Sequence, residues 1–127
     1  MNGWTMASDA CGLASREHDK LLRILVANEP QSYRDVLSSA LHVLLPEYEV
    51  RAALPAELDR EVDRFQAHVV ICSRLSEAVR AVACAWVLLY PGGQAHAVVS
   101  IDGREQEVSD IELAGLLSVI DAARLLI

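Results

Sequence analysis

Four short, largely apolar runs constrain this chain more than any other feature: Leu22–Ala27 (LRILVA), Tyr48–Leu54 (YEVRAAL), His68–Cys72 (HVVIC) and Trp86–Tyr90 (WVLLY). Such runs read as strands buried on both faces, as in the centre of a parallel sheet. Helical patterns separate them. In Ser32–Leu45, Tyr33, Val36, Leu37, Ala40, Leu41 and Leu44 recur at helical spacing. Ser32 suits the cap, Asp35 three residues on imitates a capping box, and Pro46 closes the helix. Pro55 suits the first position of a second helix, with Leu58, Val62 and Phe65 on one side and charged residues between Glu57 and Arg64 on the other. Leu75–Cys84 predicts a third, short helix. Strands alternating with helices imply parallel pairing through crossovers, with helices on both faces.

After Tyr90 the pattern changes. Pro91–Gln94 (PGGQ) is a turn, Ala97–Ile101 is strand-like, Asp102-Gly103 is a hairpin signal, and Arg104–Val108 alternates like an exposed edge strand. There is no room for a helix between Tyr90 and Ala97. Ser109-Asp110-Ile111-Glu112 reads as a capping box opening a last helix, with Leu113, Leu116, Leu117 and Ile120 as its apolar stripe. The expected architecture is an α/β three-layer sandwich around a mainly parallel five-stranded sheet of order 2-1-3-4-5. A β-hairpin replaces the fourth crossover helix. Residues 1–20 have no clear period and read as an N-terminal extension, either disordered or a short helix packed by Trp4 and Leu13; residues 21–127 form one domain.

A net charge of −7 argues against nucleic acid and anionic membranes as partners. No apolar run approaches the ~20 residues of a membrane helix, and the first residues lack the apolar region of a signal peptide. Cys11, Cys72 and Cys84 form an odd set without a CxxC pair, which predicts free thiols and a cytoplasmic setting. His18, His42, His68 and His96 are scattered and propose no metal site. No GxGxxG follows the first strand, and no helix follows Gly92-Gly93, so no dinucleotide or phosphate cradle is expected.

The spacing of these segments, from about Leu22 to Ala123, resembles the receiver domain of bacterial response regulators. The resemblance implies a flavodoxin-like fold and particular residues at the strand ends. Asn28-Glu29 stands where the family carries an acidic pair for magnesium. Ser73 stands where it carries the phosphate-accepting aspartate, and Tyr90 where it carries Thr or Ser. The family's lysine has no counterpart, because Lys20 is the only lysine; Arg104 is the nearest stand-in. Phosphoryl transfer to a side chain needs a carboxylate nucleophile, a divalent cation and a fixed positive donor. The chain therefore resembles a degenerate, pseudo-receiver form: non-catalytic, without a cofactor, and acting through a protein partner.

The strand C-terminal ends bring Asn28, Glu29, Ser73, Arg74 and Tyr90 into one rim. They read either as a small-ligand or anion pocket, with Arg74 as charged donor and a minor enzymatic role as its furthest extension, or as a satisfied polar rim. Asn28 and Glu29 likewise read either as a weak Mg²⁺ site or as a turn cap and a solvent-facing carboxylate. Leu125, Leu126 and Ile127 are consecutive large apolar residues and predict a homodimer interface.

Overall fold

Each run of Val, Ile and Leu without a polar face must be covered on both sides. The computed structural model, which describes residues 22–89, 96–109 and 111–127, shows how this is done. Among the described residues, six strands form one sheet: β1 (Arg23–Ala27), β2 (Glu49–Ala52), β3 (Val69–Cys72), β4 (Ala85–Leu89), β5 (His96–Ile101) and β6 (Arg104–Ser109). The helices are α1 (Gln31–Leu44), α2 (Leu58–Phe65, preceded by a 3-10 turn at Pro55–Glu57), α3 (Glu77–Val82) and α4 (Leu113–Arg124).

The strand order is β2-β1-β3-β4-β5-β6. The first four strands are parallel; β5 and β6 are antiparallel additions. The expectation of five strands is corrected to six. β2 is not buried on both faces: it is an edge strand in which Val50 alone is buried. The sheet is parallel only as far as β4. The reason is connection length: parallel neighbours need a crossover of about a dozen residues or more, and residues 90–95 are too few. The hairpin itself lies where the sequence placed it. Asp102 (φ 54°) and Gly103 (φ 81°) supply the two positive φ angles of a type I′ turn.

Alternation along β1 and β3 splits the interior into two cores. Ile24, Val26, Val69 and Ile71 point to one face, where Leu37 and Leu41 of α1 and Leu116, Val119, Ile120 and Ala123 of α4 cover them. Leu25, Val70 and Cys72 point to the other, beneath Leu58, Val62 and Phe65 of α2 and Val79 of α3. The result is the expected α/β/α layering.

Helix starts and stripes need correction. Pro30, not Ser32, occupies the N-cap of α1, and no side chain caps it. Val36 and Leu44 of the anticipated apolar face are exposed, while Arg34 joins Leu37 and Leu41 on the buried side. α4 begins after Glu112 without a side-chain cap. Ser109 is the last residue of β6, and Asp110 lies outside the described residues. Leu113 is exposed; the buried stripe is Leu116, Val119, Ile120 and Ala123. Cys72 is buried as expected, whereas Cys84 is only partly so.

Candidate functional site at the β1–β3 strand ends

β1 connects through α1 to β2 on one side, and β2 connects through α2 to β3 on the other. The crevice at the C-terminal ends of β1 and β3 is therefore the topological switch point, where open α/β sheets bind ligands. The register pairs Ala27 with Cys72, so Asn28 and Ser73 leave the sheet side by side. The two ends are tied together: the Glu29 backbone N–H donates to Ser73 Oγ at 2.7 Å.

Asn28 is fully buried. Among the described residues neither its Oδ1 nor its Nδ2 has a hydrogen-bond partner, although buried polar groups are nearly always paired. Its carbonyl oxygen accepts from Arg34 Nη1 at 3.2 Å. Arg34 is 6% exposed and forms no ion pair among the described residues. The arginine reaches back from the start of α1, where its own N–H donates to the Pro30 carbonyl at 3.0 Å.

Of the expected rim, the structure brings together Asn28, Glu29 and Ser73. Glu29 is exposed and Ser73 half-buried; Arg74 follows Ser73 and is exposed. Tyr90 lies outside the described residues. Arg34 was missed, yet its signal was present. Residues 34, 37 and 41 share one helix face, so an arginine sits on the stripe that Leu37 and Leu41 bury.

The neighbouring thiol is inert. Burial pushes Cys72 up to about 12, with a hydrogen bond from the Arg74 backbone opposing only part of the shift, so the thiol carries no nucleophile at neutral pH. At the opposite end of the sheet, His68 Nδ1 accepts the Arg23 backbone N–H at 2.9 Å. Burial, and then the Arg23 charge, push this imidazole down to about 4. That histidine joins β1 to β3 far from the switch point.

Among the described residues, no group of three or more His, Cys, Asp or Glu could hold a metal ion, and no helix is long and apolar enough to cross a membrane. The chain matches no family model and no curated protein.

Proposed function

We propose that the chain is a regulatory or protein-interaction domain on a receiver-like scaffold that does not transfer phosphoryl groups. The observation that carries this reading is the end of β3. Ser73 follows Cys72 there, and its oxygen already accepts the Glu29 N–H. A serine hydroxyl becomes a nucleophile only with an adjacent base; the one bond described at Ser73 Oγ comes from a donor. A divalent cation is also poorly served, because the buried Arg34 guanidinium contacts the Asn28 backbone and like charge disfavours a second cation.

The interaction half of the reading is supported by apolar side chains left in water on the layer formed by α1 and α4. Val36 and Val43 on α1 are 66% and 77% exposed, and Leu125 beyond α4 is 83% exposed, with Leu126 and Ile127 beside it. The partner in this reading is a second copy, docked through Leu125, Leu126 and Ile127. Burying a large aliphatic side chain stabilises by about 1.5–3 kcal/mol, and association costs consume part of that, so micromolar affinity follows. Light scattering across a hundredfold dilution is expected to show a concentration-dependent dimer that weakens when residues 125–127 are deleted. A monomer at every concentration, unchanged by the deletion, would end the homodimer proposal.

A further inference from the structure

We infer that the β1–β3 switch point binds a small oxyanion, a phosphate or carboxylate group, through the Arg34 guanidinium and the Asn28 carboxamide. This rests on the reading above only in taking the crevice as the domain's site. Two independent observations converge. The first is a buried charge without a counter-charge among the described residues. Among the described residues Asn28, Arg34 and Ser100 are the buried polar side chains, and Arg34 is the charged one. It makes no ion pair there; its described side-chain contact is a single bond to a neutral carbonyl. A buried charge normally requires a partner of opposite sign, because desolvation costs several kcal/mol per ion. The second is the Asn28 side chain, fully buried and with both polar atoms unpartnered among the described residues. Arg34 holds the carbonyl of that same residue, which places both groups at the end of β1.

Their combined chemistry selects the ligand class. A guanidinium presents a planar fork of donors matched to two oxygens of a carboxylate or phosphate. The Asn28 Nδ2 adds a neutral donor, and its Oδ1 accepts from any hydroxyl the ligand carries. A bare cation would meet the Arg34 charge; an apolar ligand would leave both Asn28 side-chain atoms without partners and the Arg34 charge unmatched. Glu29 is the one carboxylate adjoining Asn28 in sequence, and it faces solvent. The exposed Glu29 N–H to Ser73 Oγ bond joins the two strand ends immediately after Asn28.

The test uses the full chain, titrated with sodium phosphate, sodium succinate or sodium chloride at matched ionic strength, and read by thermal unfolding and by calorimetry. Phosphate or succinate is expected to raise Tm saturably over chloride, and which of the two acts assigns the phosphoryl or carboxylate class. Arg34→Gln is expected to weaken binding at least tenfold, while Arg34→Lys, which keeps the charge, retains part of it. Asn28→Asp preserves shape, adds a negative charge, and is expected to abolish the response; it serves should Arg34→Gln fail to fold. Equal responses to phosphate, succinate and chloride would overturn the proposal, as would an anion response that persists unchanged in both Arg34→Gln and Asn28→Asp. Dimerisation through residues 125–127 is read separately, so failure of either result leaves the other standing.

Discussion

The centre of the sheet and its outermost antiparallel strand are built on opposite terms. In β1 and β3 almost every residue is buried, and helices cover both faces. In β6 five of six residues are exposed, and only Val108 packs against the core. The difference follows from the connections. Long crossovers carry helices that bury the strands they link, whereas only six residues separate β4 from β5, and the two strands pair antiparallel. β5 still shares the cores through Ala97, Val98 and Val99, but β6 is held by its ladder, its turn, and a tie from α3: Arg80 pairs with Glu105 at 2.8 Å and lies over the Trp86 ring. Glu105 and Glu107 also place charge along the outer strand, a device that discourages edge-to-edge pairing.

Substitution separates the two regions most sharply. Ile71→Ala in β3 empties a fully buried position and is expected to cost about 2–5 kcal/mol in denaturant unfolding. Gln106→Ala in β6 is exposed and is expected to stay within about 0.5 kcal/mol of the parent. Comparable losses at the two sites would break the contrast.

Acidification probes the parallel half from its other end. His68 titrates near 6.5 in the unfolded chain and at about 4 in the fold, so the unfolded state binds the extra proton between those values. Its contribution is fully present above pH 6.5 and is lost as pH falls toward 4. Stability measured from pH 7.5 to 4 is expected to decline, with a shallower slope in His68→Gln.

Within the hairpin, Gly103 adopts φ 81°, and an added Cβ would meet nothing within 4 Å. Gly103→Ala is therefore expected to cost about 1 kcal/mol, through backbone conformation alone. Arg80→Ala removes an exposed ion pair and is expected to cost about 0.2–1 kcal/mol, less at high salt. A larger loss would show that the α3 tie, and not the ladder, holds β5 and β6.

Legibility in the sequence followed the same division. The runs of β1, β3 and β4 are plain because burial on both faces leaves Arg23 as their single polar position. Asp102-Gly103 announced the turn because few dipeptides adopt two positive φ angles. Helix starts are less legible, because Ser32 and Ser109 offer good capping chemistry that the backbone does not use. At the site, Asn28, Glu29 and Ser73 were legible from strand order and run length. Arg34 was not, because charge on a helix is read as solvent-facing, and only the residue 34-37-41 phase exposes the exception.

The central claim, that this switch point holds groups in place and does not accept a phosphoryl group, is tested most directly by mass spectrometry. The protein is incubated with acetyl phosphate and Mg²⁺, then its intact mass and peptides are measured. The account predicts an unmodified chain, with the Ser73 peptide unchanged at every time point. Stable gain of one phosphoryl group on that peptide would contradict it.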